Sequence, residues 1–264
     1  MLIDAHAHLD LYTDDILESA LEEIKGHEIF TISNSMDPAS YRRNLEIGQM
    51  SRLVLPTFGV HPWKAPEYVQ RLQELTGAVE QSLMLGEIGL DHQFVEDTRQ
   101  YPAQREVFEF FLTAAKEQDK IVNLHTKGAE QETFKLLRQY DIQRAIVHWY
   151  SGPLDILREL KDRGIYFTVG LEVLHSDDIK TIVRELPTEL LLTETDNPGG
   201  LEWLTGVPGM PRMVTEVVEA LAKLRGITAQ EMVQAVQSNF ERLIGDDSRW
   251  SEVYTRILNK NQSP

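Results

Sequence analysis

The chain has 264 residues, 42% hydrophobic and 26% charged, which is enough for a sizeable core in one large domain or two small ones. It contains no cysteine, which excludes disulfides, thiolate metal sites and a cysteine nucleophile, and fits a reducing cytoplasm. A net charge of −16 argues against broad electrostatic binding of duplex DNA or anionic lipid, and two bound divalent cations would still leave it acidic. Met1-Leu2-Ile3-Asp4 carries no basic segment leading into an apolar run, so no secretory signal is expected. No apolar stretch approaches the length of a membrane span. Cytoplasmic localisation without membrane attachment or an obligate protein partner is the expectation.

Apolar runs read as buried parallel strands near residues 2–9, 28–34, 53–60, 82–90, 121–125, 144–148, 165–170 and 190–195. Amphipathic helical stretches lie between them: Asp14 to Lys25, Pro38 to Met50, Tyr101 to Gln118, Glu130 to Arg138 and Pro153 to Arg163. Two more close the chain, Pro211 to Arg225 and Thr228 to Phe240. Pro38, Pro153 and Pro211 suit first-turn positions, and Thr228-Ala229-Gln230-Glu231 reads as a capping box. The stretch Asn197 to Pro211, rich in Gly and Pro, reads as a long loop after the last strand. This alternation predicts an α/β fold: a (β/α)8 TIM-like barrel with extra C-terminal helices, formed by residues 1–264 as a single domain. A doubly wound open sheet is the competing arrangement. The barrel is favoured because the chemistry-bearing residues fall at strand ends one, four, five, six and eight. Only closure brings strands one and eight together.

Those residues begin with Asp4-Ala5-His6-Ala7-His8. Residues two apart on a strand point to the same side, so His6 and His8 aim two imidazoles at one point. Imidazole suits zinc and its transition-metal neighbours. Glu87 follows the apolar Leu83-Met84-Leu85, where an unpaired charge is costly and a metal is the simplest compensation. Its two oxygens could bridge two cations. His125 ends the strand Ile121-Val122-Asn123-Leu124, and His148 ends Ala145-Ile146-Val147. Either alone is more often a hydrogen-bonded strand-end histidine than a ligand; two at the same point of successive units are harder to dismiss. Asp196 ends Leu190 to Thr195, with Glu194 expected on the same side of that strand.

The sequence resembles the TatD family of metal-dependent hydrolases, among the amidohydrolase-like barrels. The matching motifs run nearly end to end. They are Asp4-Ala5-His6-Ala7-His8-Leu9-Asp10, Gly59-Val60-His61-Pro62, Gly86-Glu87-Ile88-Gly89-Leu90-Asp91 and Leu124-His125-Thr126-Lys127. His148-Trp149-Tyr150-Ser151-Gly152, Glu194-Thr195-Asp196-Asn197-Pro198 and Ser238 to Gly245 complete the series. The resemblance implies two divalent metal ions, one held by His6, His8, Glu87 and Asp196, the other by Glu87, His125 and His148. Nitrogen and carboxylate donors accept zinc, manganese, cobalt or nickel, and magnesium less readily. It also implies a deoxyribonuclease, often exonuclease-like, that cleaves phosphodiesters with a metal-activated water. In that reading Asp196 orients the water and takes its proton, while His61 and Lys127 contact the phosphate. DNA, as single strands or strand ends, is the expected partner.

Three positions depart from the family pattern. Trp63 stands where a second histidine follows His-Pro, His92 where an aromatic follows Gly-Leu-Asp, and Lys127 where arginine is usual. Lysine offers phosphate a point charge, not a bidentate fork. Trp63, Trp149, Tyr150 and Trp203 are candidates for stacking on bases. An alternative enzyme reading applies the same centre to a carboxylic ester or amide, such as an aminoacyl-tRNA ester or a lactone. A non-catalytic metal-holding module is the third.

Overall fold

The computed structural model describes residues 1–258. Its strands in chain order are β1 (Leu2–Ala7), β2 (Ile29–Asn34), β3 (Val54–Thr57), β4 (Met84–Gly89), β5 (Ile121–His125), β6 (Ala145–Val147), β7 (Tyr166–Val169) and β8 (Leu191–Thr193). Each falls inside an expected segment. Most are shorter at one or both ends. His8, His61, His148 and Asp196 all lie beyond their strand ends. Every residue of β2, β4 and β5 is buried, as runs of a parallel sheet covered on both faces should be.

The chain divides into two compact units. The first takes in Met1–Ser33, Arg43–Pro56 and the described chain from Thr168 onward. There β1 pairs in parallel with β2, in the register Leu2↔Ile29 and Ile3↔Phe30, and β2 neighbours β3. β8 lies beside β1: the Thr193 hydroxyl donates to the Ile3 carbonyl. The core of this unit is largely aliphatic, with an aromatic cluster inside it. Phe30 packs on Phe240 at 5.4 Å, and Phe240 packs in turn on Trp250 at 5.8 Å. All three are buried. Phe240 lies on helix Ala229–Ile244 and Trp250 on helix Ser248–Leu258, so the C-terminal helices close the unit. The expected capping box is present, with Glu231 N–H donating to Thr228 Oγ1 (3.2 Å) and Thr228 N–H to Glu231 Oε2 (2.8 Å).

The second unit takes in Asn34–Arg42 and Thr57–Phe167. β4, β5, β6 and the start of β7 pair in that order, all parallel. Phe58 fills its core between Tyr41 (5.0 Å) and Phe111 (5.8 Å). Helix Tyr101–Glu117 buries Val107, Phe108, Phe111, Leu112 and Ala115, the stripe its spacing predicts.

Two expectations need correction. Asn197 to Pro211 is not all loop: Gly199–Thr205 is helical, started after Pro198 and ended by Gly206 in the left-handed region at φ 78°. Of that helix only Gly200 is buried, so no apolar stripe announced it. Helix formation after Pro211 begins with a single 3-10 turn, Pro211–Met213, and the α-helix starts at Val214. Helix Asp177–Glu185, capped by the Ser176 hydroxyl, was not anticipated. No helix among the described residues is long and apolar enough to cross a membrane.

Candidate metal centre

In the first unit, backbone pairing sets the ends of β1 and β8 side by side. Asp196 N–H donates to the His6 carbonyl (2.9 Å) and His8 N–H to the Asn197 carbonyl (2.8 Å). The side chains then converge: His6 Nε2 and His8 Nε2 are 3.3 Å apart, and Asp196 Oδ1 lies 3.6 Å and 3.5 Å from them. Asp196 adopts φ 51°, so it has left the strand alternation. Its side chain is 21% exposed, whereas that of His6 is fully buried. Glu194 goes elsewhere and accepts from the Thr168 hydroxyl (2.7 Å). Asp4 ties this corner down, accepting from Thr195 N–H (2.9 Å) and Thr195 Oγ1 (2.6 Å). Burial pushes the Asp4 carboxyl up to about 8 despite those bonds.

In the second unit the centre is built around Glu87. Two glycines allow β4 to approach its neighbours closely. A Cβ on Gly86 would lie 2.6 Å from Asn34 Oδ1, and one on Gly59 only 2.4 Å from the Glu87 carbonyl oxygen. Glu87 Oε1 sits 2.8 Å from His125 Nδ1, 2.8 Å from His148 Nε2 and 3.5 Å from His61 Nε2. His125 Nδ1 and His148 Nε2 are 3.3 Å apart.

Hydrogen bonding decides which nitrogen carries a proton. Asp91 Oδ2 lies 2.9 Å from His125 Nε2 and accepts from Trp63 Nε1 at 2.7 Å; Asp91 Oδ1 accepts from the Gln93 and Phe94 amides. Burial works to raise the Asp91 pKa, but the bonds from His125, Phe94 and Trp63 hold it down at about 2, so the group is ionised. A carboxylate only accepts, so Asp91 sets a hydrogen on His125 Nε2; in the neutral imidazole that leaves the lone pair at Nδ1, facing Glu87. His61 has the opposite polarity. It caps the turn Pro62–Lys64, and its Nδ1 accepts from Trp63 N–H (3.2 Å). Its Nε2 therefore carries the hydrogen.

Glu87 Oε1, His125 Nδ1 and, in the tautomer with its hydrogen on Nδ1, His148 Nε2 form a compact set of electron-pair donors. Two lone pairs facing each other at 2.8 Å repel unless positive charge lies beside them. A proton relieves one such pair; a divalent cation relieves all three donors together. The set therefore fits a metal ion, and the carboxylate behind His125 is the usual support for a metal-binding histidine. In the sequence Asp91 stands in a motif with no role assigned, and Trp63 as a departure from the family pattern and a stacking candidate, not as a partner of Asp91. The local signal was a carboxylate four residues after Glu87.

Lys127 is engaged by its own surroundings: Nζ donates to the Trp149 carbonyl (2.6 Å) and Ser151 Oγ (2.8 Å). Of the aromatic candidates, Trp149 and Tyr150 are buried, with Tyr150 packed on Phe167 at 5.6 Å, while Trp63 and Trp203 are exposed. His92 stacks on Tyr101, ring centroids 3.8 Å apart.

Comparison with known proteins places the chain. The family model described as TatD related DNase matches residues 3–245. The uncharacterized metal-dependent hydrolase YcfH of Escherichia coli K12 is 28% identical, over 94% of this chain and 97% of its own. Human deoxyribonuclease TATDN3 is 26% identical, over 92% and 94%. The crystal structure of YjjV, a TatD homologue from Escherichia coli K12, superposes with a TM-score of 0.83 at 26% identity, covering 92% of this chain and 97% of that one. The α/β fold is that of the TIM-barrel-like TatD structures, as the strand–helix alternation led us to expect. The chain belongs to the TatD-related DNase family and is a metal-dependent hydrolase.

Proposed function

We propose that the protein is a deoxyribonuclease that hydrolyses phosphodiester bonds at the ends of single-stranded DNA, with two divalent ions as cofactors. The observation that carries the hydrolytic chemistry is the convergence of Glu87, His125 and His148, with Asp91 placed behind His125 Nε2. The choice of DNA rests on the human relative, which is named a deoxyribonuclease. The family match runs unbroken through both compact units, which supports treating 1–264 as a single hydrolase domain.

Glu87, His125 and His148 would hold one ion; His6, His8 and Asp196 supply donors for the other. Zinc, manganese, cobalt and nickel suit this nitrogen and carboxylate chemistry, magnesium less so. Bound divalent ions lower the pKa of water and draw charge from a phosphoryl oxygen. The protein's own groups do the rest. Asp196 is the carboxylate of its set and its side chain is 21% exposed, so it is the group to orient the attacking water and accept its proton. His61, with hydrogen on Nε2, can donate to a phosphate oxygen or to the leaving oxygen. Lys127 adds a positive charge fixed by Trp149 and Ser151.

The test is incubation of end-labelled single-stranded DNA with enzyme and each metal in turn, alongside a lactone and a carboxylic ester. A His6→Ala variant serves as control. Metal-dependent shortening of the DNA, lost in the variant, is the expected result. Turnover of the lactone or ester with DNA left intact would replace this reading with carbonyl hydrolysis.

A further inference from the structure

Trp63 and Phe94 are both apolar and both exposed, at 48% and 46%. They lie against each other edge to face, ring centroids 6.4 Å apart and planes at 82°. The pair adjoins the Glu87 centre within the second unit. The His61 ring meets Trp63 at 4.6 Å, and the indole Nε1–H is bonded to the same Asp91 oxygen that faces His125. Trp63 is also held by its backbone, since it lies in the turn Pro62–Lys64 capped by His61. An exposed indole bonded at its N–H and packed edge-on is an ordered surface. A flat ring can stack on it without the entropic cost of fixing the side chain.

We propose that Trp63 and Phe94 form a stacking subsite for a nucleobase of the substrate strand, beside the phosphodiester that is cut. This rests on the nuclease reading and specifies how the strand is held. The occupant is a base because the platform is aromatic, is open to solvent and borders the group of side chains assigned to the phosphate. Stacking is tolerant of base identity, since every base has a π-face, so the subsite favours a base over no base without selecting a sequence. It also requires an unpaired base, which accords with cutting single strands and ends.

The experiment measures steady-state cleavage of single-stranded oligonucleotides that either keep every base or carry one abasic unit next to the cut linkage. Wild type is compared with Phe94→Ala, Trp63→Ala and Trp63→Phe. Phe94→Ala is the cleanest variant, because only the backbone amide of Phe94 touches Asp91. It should raise KM on the intact strand by about ten-fold with kcat unchanged, and leave KM on the abasic strand alone. Trp63→Ala should raise KM further, and Trp63→Phe, which keeps a ring, should recover most of it. Indole emission in metal-free protein should be quenched by the intact oligonucleotide, and less so in Trp63→Phe. Unchanged KM in both alanine variants, or an equal rise on the abasic strand, would overturn the subsite while leaving the nuclease reading standing. A wild type that neither binds nor cuts any DNA would overturn both.

Discussion

Asp91→Asn isolates the step on which the second donor set depends. The asparagine amide offers one acceptor oxygen and one donor NH2 in place of two acceptors. If the NH2 replaces Oδ2, it faces the hydrogens of His125 Nε2 and Trp63 Nε1, at sites now 2.9 Å and 2.7 Å away. If it replaces Oδ1, it faces the Gln93 and Phe94 amides, at 3.0 Å and 2.7 Å. Either rotamer sets a donor against two donors. The first is relieved at His125, though not at Trp63, when His125 moves its hydrogen to Nδ1, which then points at Glu87 and can no longer give an electron pair to a metal. Loss of such a supporting group costs about 10–100-fold in metal affinity. The assay is chelator-competition titration of the variant, with metal content counted by mass spectrometry and the urea midpoint recorded as a check on folding. Nitrogen-15 NMR of the metal-free protein should show the His125 hydrogen shifted from Nε2 to Nδ1. A variant that keeps the Nε2 tautomer and binds metal as tightly as wild type would refute the reasoning.

Gly59→Ala drives a methyl to 2.4 Å from the Glu87 carbonyl oxygen and 2.6 Å from its nitrogen, backbone atoms that yield only if β4 shifts. We expect a loss of about 1–3 kcal/mol in urea unfolding, and a wild-type midpoint would show that the close approach is not required. Glu87→Gln should abolish activity and lower metal content, because an amide carries no charge and one weaker acceptor. Lys127→Ala should only reduce activity; if it proves the more damaging with metal content normal in both, the roles are misassigned. The chain is strongly acidic and Lys127 is the basic side chain assigned to the phosphate, so binding DNA should neutralise few phosphates and release few counterions. The slope of log affinity against log salt should therefore be shallow, and linear ends should be cut faster than a closed circle. A steep slope, or rapid nicking of the circle, would show a broad phosphate track.

The fold was legible where periodicity carried it. Helix Pro38–Met50 and strand Ile121–His125 have the boundaries that their sequence spacing predicts. His6 and His8 converge on one point although His8 lies past the end of β1. Alternation failed for Glu194 and Asp196, because β8 stops at Thr193 and the backbone turns through positive φ at Asp196. The two carboxylates consequently serve different partners, Thr168 for Glu194 and the His6–His8 pair for Asp196. Asp91 and Trp63 were illegible as a pair: their 2.7 Å bond joins residues 28 apart in the chain, and nothing in either local stretch announces the other. The substitution of Trp63 for histidine reads as a loss in the sequence. In the fold it supplies a hydrogen bond to the carboxylate behind His125.

His61 and His125 show why residue identity alone could not assign the chemistry. Their rings lie 4.6 Å apart and both reach toward Glu87, so by type and distance either could be a ligand. What separates them is the partner on the far nitrogen. Behind His61 stands a backbone N–H, a donor, which leaves the hydrogen on the nitrogen that faces Glu87. Behind His125 stands an ionised carboxylate, an acceptor, which leaves a lone pair there. One imidazole is thereby set to give a proton and the other to give an electron pair. Trp63 contributes to both settings, through its backbone amide to His61 and its indole N–H to Asp91. In the proposed mechanism, a residue that does not touch Glu87 would thus take part in dividing acid from ligand.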